Sequence, residues 1–405
     1  MAFLFLFDRV GKRYELSAKS GEYLWQALLR NMVPPPSVFV KINGQIANDN
    51  VLLKENDIIE AYLIEKYDIA SLKKMYDYLF QESRIEPNSC FIDKAVSITQ
   101  DGMLKPQLST FNMGAIVKDV ETKVGDTVKH FSLLGHGDKV LIGLSGGVDS
   151  TSLMMSLAAQ QEEIRFSIIT GTVANYEVTE ATFKHSAETS AKFDIPHNII
   201  EATTIESTFN LNLPLVEVYS KMMQSKFRHY TMYADHHFMK RGLEVFAKEN
   251  NISKIALGLH ASDIMGGLLN GFVTGYRMTD LPLKKIGDMT FVYPLATILK
   301  KELFLYHIAK TGKEVSHAQP NYWEFVPLDR NFYYYISDML QMLWPGINYW
   351  AVAANKEMQA RLPEPEFSKC TNCGTLFLEQ ATRGNKENGE NCDICSMLNE
   401  LGMLE

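Results

Sequence analysis

Cysteine is scarce in this chain, occurring five times in 405 residues. Four of the five form two Cys-x-x-Cys pairs near the C-terminus, a spacing that suits metal binding better than disulfides. So small a set excludes a disulfide framework and is typical of a reducing compartment. We therefore expect a cytoplasmic protein.

Long apolar runs are also missing. No stretch reaches the ~20 apolar residues that a membrane-spanning helix needs. The apolar opening at residues 3–7 stops at Asp8 and has neither a basic lead-in nor a small-residue cleavage site, so we do not interpret it as a signal peptide. We expect no membrane partner.

The chain also lacks an excess of basic residues. The chain has 40 Lys and Arg against 48 Asp and Glu, a net charge of -8, so any RNA binding must use a local patch. Its 46% apolar and 22% charged residues are typical of a globular protein and exclude disorder or coiled coil as the dominant character. The length predicts two or three domains.

Residues 1–66 are predicted to form a separate small domain. Strand-like runs at residues 2–7, 13–16, 38–42 and 57–64 surround one amphipathic helix through Leu24 and Leu28. This ββαββ order resembles the β-grasp fold of ubiquitin-like sulfur carriers and related RNA-binding modules. Sulfur carriers end in Gly-Gly, whereas residues 63–67 continue without it, so we expect a docking or RNA-contacting domain.

From Asp138 onward, strands alternate with helices. The predicted strands are residues 140–144, 164–170, 197–200 and 254–259, and the predicted helices are 150–159, 182–193 and 239–249. This pattern predicts a doubly wound parallel α/β unit over residues 136–312. A connecting region, 67–135, precedes it, with a helix at 69–81 and a Cys90 of undetermined role. A helical aromatic-rich extension, 313–366, and a terminal segment, 367–405, follow it.

The most informative segment lies between the first buried strand and the first helix of this unit. It reads Ser145-Gly146-Gly147-Val148-Asp149-Ser150. Glycines let backbone amides approach an anion, the helix N-terminus adds free amides, and Asp149 can hold Mg²⁺ against phosphate oxygens. The spacing differs from that of the lysine-containing nucleoside-triphosphate loop. The alternative is a Gly-Ser turn before a helix that Ser150 caps.

Strand-SGGxDS-helix resembles the PP-loop ATP pyrophosphatases. The resemblance implies that residues 145–150 bind the β,γ-pyrophosphate of ATP while a substrate oxygen attacks the α-phosphorus. Gly258 and Asp263 match the family's second motif, where Leu259 and His260 replace the usual His and Asn. Gly258 would then let the nucleotide pass close to the backbone, and Asp263 would help to hold Mg²⁺ or the ribose-phosphate.

Two further residues complete the predicted site. Tyr293-Pro294-Leu295, followed by Lys300 and Glu302, resembles a third family motif, in which Lys300 would neutralise phosphate charge. A solvated lysine at a helix start is the alternative. Thr170 is predicted to end the second strand and so to lie near the adenine. We predict Asp149, Ser150 and Lys300 as the catalytic residues.

The paired cysteines have the spacing of a zinc ribbon. Cys370 and Cys373 precede Cys392 and Cys395 by 18 residues, counted between Cys373 and Cys392. Four thiolates make a closed, structural Zn²⁺ site, although an iron–sulfur centre also suits them. With the preceding motifs, this segment resembles the cytosolic tRNA wobble 2-thiolation proteins and their bacterial and archaeal relatives.

The resemblance fails at the catalytic cysteines of those enzymes. The matching stretches, residues 233–236 and 316–321, contain none, so cluster-dependent sulfur transfer does not carry over. For His229, His236 and His237 we favour ordinary imidazoles over a metal site. The basic residues Lys226, Arg228, Lys240 and Arg241 form either a phosphate-binding patch or a solvated helix face.

Three functions remain open. The first is an ATP- and Mg²⁺-dependent enzyme that adenylates a tRNA base carbonyl for attack by sulfur from a partner. The second adenylates a small molecule for a nitrogen nucleophile, and the third is a non-catalytic docking partner. The first ranks highest. The sequence leaves the oligomeric state open, with a homodimer as one option.

Overall fold

The computed structural model describes residues 2–8, 11–31, 33–64, 96–98, 104–106, 114–175, 180–274, 277–278, 280–312, 328–343, 346–378 and 391–405. Three sequence predictions lie outside these residues: the helix at 69–81, the role of Cys90, and the cysteine-free stretch at 316–321.

The N-terminal unit, which lies within residues 2–64, forms a mixed sheet packed on one helix. Its strands are β1 (Ala2–Phe7), β2 (Arg13–Ala18), β3 (Val38–Ile42), β4 (Gln45–Ile46) and β5 (Ile58–Leu63), with α1 (Leu24–Arg30) between β2 and β3. The order is β2-β1-β5-β3-β4, in which β1 and β5 run parallel. Alternate residues of β1, among them Leu4 and Leu6, are buried against α1. The strands lie where the sequence predicts them; assignment to the β-grasp fold stays a prediction.

A helix that the sequence analysis did not assign precedes the central unit. After the pair β6 (Val96–Ile98) and β7 (Leu104–Pro106) comes α2 (Ile116–His130). Its residues Val120, Val124 and Val128 repeat every four positions and are fully buried in the central core. The predicted domain limits are not tested by these contacts and stay a prediction.

The central sheet confirms the doubly wound prediction. Within the described residues its strands are β8 (Lys139–Gly143), β9 (Ser167–Val173), β10 (His197–Ile200), β11 (Lys254–Ala256), β12 (Leu283–Ile286) and β13 (Met289–Val292). They lie in the order β10-β9-β8-β11-β13-β12, all parallel except β12. The chain leaves β8 for β9 on one side and returns to β11 on the other, so the end of β8 is the topological switch point, where ligands bind in such sheets.

Helices cover both faces of this sheet. They are α3 (Val148–Ala158), α4 (Gln161–Ile164), α5 (Glu180–Ala191), α6 (Ala202–Thr208), α7 (Leu215–Gln224), α8 (Thr231–Glu249), α9 (Ala261–Thr274) and α10 (Lys300–Thr311). Leu141 of β8 belongs to the core on one face, and its neighbours Val140 and Ile142 belong to the core on the other. Burial on both faces explains the continuous apolar strand sequence.

The predicted second strand, 164–170, was displaced by three residues. Ile164 ends the short helix α4, and Arg165 then takes a left-handed conformation with φ 63°. The strand therefore begins at Ser167 and continues to Val173. Thr170 lies in its middle and does not end it.

The C-terminal segment begins with two helices and closes with the paired cysteines. The elements are α11 (Leu328–Leu343), α12 (Ile347–Arg361), β14 (Phe367–Lys369), β15 (Leu376–Leu378) and α13 (Asp393–Glu400). The four cysteines share a core with β13 and α8 of the central unit. Among the described residues, no helix combines the length and the apolar character that crossing a bilayer requires.

Candidate functional site

The predicted phosphate loop lies at the switch point. β8 ends at Gly143, Gly147 precedes the first helical residue, Val148, and Gly146 has φ +74°, a conformation that favours glycine. The N–H of Ser145 donates to Ser150 Oγ at 3.1 Å, and the two hydroxyls lie 3.0 Å apart. Ser150 therefore braces the loop. The alternative that it caps the helix was wrong, since Gly147 occupies that position.

Lys300 and Asp149 form an ion pair in this site. Lys300 Nζ lies 2.5 and 2.6 Å from the two carboxylate oxygens of Asp149, although the residues are 151 positions apart. The side chain of Lys300 is 9% exposed and that of Asp149 is 25% exposed. The alternative of a solvated lysine was wrong, because α10 aims Lys300 at the loop.

Gly258 packs against the loop itself. A Cβ at this position would lie 3.1 Å from the carbonyl carbon of Asp149 and 3.2 Å from the nitrogen of Ser150. A Cβ at these distances would force the loop backbone to move by a few tenths of an ångström, whereas glycine permits the contact as it stands. The sequence analysis expected Gly258 to make room for a nucleotide, whereas here it makes room for the loop that precedes α3.

Asp263 is held by two elements. Its Oδ2 accepts a hydrogen bond from the backbone N–H of His260 at 3.1 Å, and its Oδ1 accepts one from the hydroxyl of Tyr334 on α11. His260 is 1% exposed, and its Nε2 lies 3.3 Å from Asp263 Oδ2. Tyr334 was missed by sequence reasoning because nothing near it in the chain links it to this motif.

Thr170 does not belong to an accessible site. Its side chain is fully buried, and its hydroxyl lies 2.9 Å from His197 Nδ1 and donates to the carbonyl of Pro196 at 3.1 Å. Burial also lowers the pKa of His197. Thr170 thus lies in the middle of its strand with its hydroxyl bonded inside the protein, and its position near the adenine stays a prediction.

The four paired cysteines converge on one point. Their sulfur atoms all lie within 4.8 Å of one another, and all four residues are buried. Hydrogen bonds from Cys370, Cys392 and Cys395 lower the pKa of Cys373, whereas hydrogen bonds with Cys370 and Cys373 raise that of Cys392. At this spacing the four sulfurs cannot all be ionised without a cation.

The structure brings α8 against the cysteine cluster. His237 is partly buried, as the sequence predicts, and its Nε2 lies 3.6 Å from Cys392 Sγ and 3.8 Å from Cys373 Sγ. The ligand atoms that converge on one point are the four cysteine sulfurs, and His237 lies beside them. Arg241 donates to the carbonyl of Cys373 at 2.7 Å. Arg241 also pairs with Glu244, and Lys226 pairs with Glu400. Lys240 lies 3.5 Å from Glu244 as well, so three of the four predicted phosphate-binding side chains are paired with glutamates of the protein itself.

The cysteine-free stretch at residues 233–236 lies on α8. Asp235 there is buried and accepts a hydrogen bond from the hydroxyl of Tyr219 at 2.6 Å. All four cysteines of the described part of the chain belong to the C-terminal cluster. The described residues therefore offer no cysteine at this position.

Comparison with solved structures shows which fold this chain shares. No protein-family profile matches the chain. Its structure is similar to that of the U34-tRNA thiolase NcsA from Methanococcus maripaludis, solved with its [4Fe-4S] cluster, with a TM-score of 0.51, 19% identity, and coverage of 74% of this chain and 92% of that one. The chain has the fold of the PP-loop ATP pyrophosphatases.

Sequence comparison finds relatives that match about half of the chain. The chain is homologous to tRNA-cytidine(32) 2-sulfurtransferases: 28% identical over 209 residues to that of Haemophilus influenzae (strain PittEE), covering 50% of this chain and 62% of the relative. With that of Vibrio vulnificus (strain YJ016) it shares 25% over 217 residues, covering 52% and 64%. The chain thus spans less than two thirds of the length of these relatives.

Proposed function

We propose that this protein is an ATP-dependent enzyme that adenylates a carbonyl oxygen of a tRNA base, so that a sulfur nucleophile can replace that oxygen. The observation that carries the proposal is the loop at the switch point, with Lys300 bound to Asp149. A buried lysine and a carboxylate that meet there can separate to bind a phosphate and a metal ion. The homology to tRNA sulfurtransferases over half of the chain favours tRNA as the substrate.

The chemistry divides between the loop and Lys300. Backbone amides of residues 146–148 and the N-terminus of α3 bind the pyrophosphate part of ATP. Lys300 turns from Asp149 to the phosphates and neutralises the charge that develops on them. Asp149 would hold Mg²⁺, which would neutralise further phosphate charge. Ser145 and Ser150 keep the loop in shape.

The proposed reaction has two covalent steps, adenylation of the base oxygen and its replacement by sulfur. The base oxygen attacks the α-phosphorus, the bond to pyrophosphate breaks, and pyrophosphate leaves. A sulfur nucleophile then adds to the base carbon, and AMP leaves with the original oxygen. Because the described residues have no cysteine at 233–236, we propose that the sulfur comes from a separate donor, either a protein or a small molecule.

Pyrophosphate release tests the proposal. We expect release from Mg·ATP to be stimulated by bulk tRNA and abolished in Asp149→Ala, with sulfur then detected in the tRNA by mass spectrometry. Release that ignores tRNA would favour the small-molecule, nitrogen-transferring alternative. Nucleotide binding without release under either condition would favour the non-catalytic one.

For the cysteine cluster we propose Zn²⁺. Four thiolates about 2.3 Å from one tetrahedral ion lie about 3.8 Å apart, and Cys373 Sγ lies 3.8 Å from Cys392 Sγ. In a cubane cluster each thiolate binds a different iron, which spreads the sulfurs further. Elemental analysis should find about one zinc per chain; iron with acid-labile sulfide would contradict the assignment. A tRNA substrate and clustered thiols both suit a cytoplasmic enzyme.

A further inference from the structure

Three consecutive residues at the start of α10 each bind a different part of the chain. Lys300 pairs with Asp149 of the loop, Lys301 with Asp49 of the N-terminal unit, and Glu302 with Lys123 of α2. Successive side chains on a helix diverge by about 100°, which explains how neighbours reach in three directions. The first turn of α10 is thereby fixed from three sides.

The contact with the N-terminal unit is the most buried of the three. Lys301 Nζ lies 2.6 Å from Asp49 Oδ1 and 3.3 Å from the carbonyl oxygen of Pro35. The side chain of Lys301 is 13% exposed and that of Asp49 is 1% exposed. A carboxylate buried to that extent is costly unless paired, so the two residues hold each other strongly in place.

Apolar contacts support the same junction. The rings of Phe39 on β3 and Phe304 on α10 lie 5.2 Å apart, and Phe39 belongs to the central core. The turn Pro35–Ser37 contacts both α10 and α11. The N-terminal unit is therefore packed against the helix that carries Lys300.

A second route leads from the same unit to Asp263. Tyr334 and Tyr335 of α11 are buried in the core of the N-terminal sheet, and the hydroxyl of Tyr334 donates to Asp263. Two predicted nucleotide-site residues, Lys300 and Asp263, thus sit on or against helices that the N-terminal unit holds.

We infer that the N-terminal unit positions the nucleotide site, and that Asp49 and Lys301 are positioning residues that act through Lys300. This inference rests on the proposed function. Since Lys300 must leave Asp149 when nucleotide binds, a fixed α10 confines that change to one side chain. Without the Asp49–Lys301 pair, the first turn of α10 shifts, and Lys300 no longer reaches the phosphates.

Nucleotide affinity tests the inference without any acceptor. The probe is α,β-methylene-ATP with Mg²⁺, measured by calorimetry. We expect Asp49→Asn to weaken binding about tenfold, because displacing a charged contact by a fraction of an ångström has effects of this order. The matched control is Glu22→Gln, which breaks the Glu22–Arg30 pair in the same unit, away from α10, and should bind as the wild type does.

Two further variants separate positioning from stability. Lys301→Arg keeps the pair and should retain affinity, whereas Lys301→Met should lose it. In a Lys300→Met background, Asp49→Asn should weaken binding no further. Melting temperatures are recorded for each variant, and binding is measured well below them. If Asp49→Asn does not fold, the two Lys301 variants still decide the question.

These binding measurements distinguish failure of the inference from failure of the proposed function. Unchanged affinity in Asp49→Asn or Lys301→Met, or an equal loss with and without Lys300, would overturn the inference and leave the proposed function standing. A wild-type chain that binds no nucleotide would overturn the proposed function and this inference with it.

Discussion

The ion pair between Lys300 and Asp149 gives each residue a defined state before nucleotide arrives. Both charges are partly withdrawn from water, so each depends on the other for compensation. Under the proposed function, binding of Mg·ATP would exchange this pair for two new ones, lysine with phosphate and carboxylate with metal. The site therefore starts with opposite charges in place and needs no large rearrangement.

Lys300→Met should lower the rate of pyrophosphate release by about 10²- to 10³-fold, the usual cost of losing one group that stabilises developing charge. The matched control is Lys310→Met on the same helix, which removes only the pair with Glu121. Steady-state release assays measure both. Equal rates for Lys300→Met and the wild type would contradict the assigned role.

Gly258→Ala tests the contact between the second motif and the loop. The new Cβ would meet backbone atoms of Asp149 and Ser150, which cannot move without shifting the loop. We expect weaker nucleotide binding and a loss of about 1–3 kcal/mol in the free energy of unfolding. Gly135→Ala is the control, because its nearest neighbour, Asp138 Oδ2, would be 3.7 Å away. A normal affinity in Gly258→Ala would argue against the contact.

Strand β12 covers β13 and carries an unusual lysine. Lys284 pairs across the strands with Phe291, and Lys240 of α8 lies 4.7 Å from the centre of the same ring. Burial, and then the charge of Lys240, lowers the pKa of Lys284 to about 8. This strand thus includes a cation that costs stability when it is protonated.

Replacing Lys284 should stabilise the protein in a pH-dependent way. In the unfolded chain the pKa of a lysine is about 10.4. Between about pH 8 and that value, the unfolded chain binds a proton that the folded chain has released. The free energy of unfolding therefore rises with pH over this range. Lys284→Met should melt higher than the wild type at pH 7, with the difference vanishing by about pH 10. Lys285→Met, at the exposed neighbouring position, should show no such trend. A constant difference would contradict the pKa shift.

The C-terminal cysteines pack against the central unit, as the N-terminal unit does. Cys373 and Cys392 share one core with Phe238 and Phe291 of the central unit. The segment near the C-terminus also pairs with the central unit through a bridge between Leu211 and Leu404. Loss of the proposed metal ion should therefore affect more than the C-terminal segment.

Removing metal with a chelator should lower the melting temperature of the entire chain in a single transition. Cys373→Ser should have the same effect, whereas Glu400→Gln, which breaks only an exposed pair with Lys226, should leave the transition unchanged. Differential scanning calorimetry distinguishes these outcomes. A separate low-temperature transition, with the main one unmoved, would show that the ribbon unfolds independently.

Local sequence was sufficient for the features that depend on neighbours in the chain. The alternation of strands and helices, the Gly146 turn and the spacing of the cysteine pairs all arise from short-range preferences. The order of the elements was as predicted, but the strand expected at 254–259 ends at Ala256 and the helix expected at 239–249 begins at Thr231. The second strand was misplaced because the apolar residue Ile164 belongs equally well to a short helix, which Arg165 ends. Such boundaries depend on a single backbone conformation that composition does not reveal.

Contacts between distant residues were decided only by folding. Lys300 and Asp149 are 151 positions apart, Tyr334 and Asp263 are 71 apart, and His237 and Cys373 are 136 apart. Side-chain packing selects such pairs, and it depends on how every helix and strand is placed against its neighbours. The motifs therefore predict which residues form the site, Lys300 among them, while only the tertiary structure shows that Lys300 pairs with Asp149, which tyrosine holds Asp263 and how the N-terminal unit contacts α10.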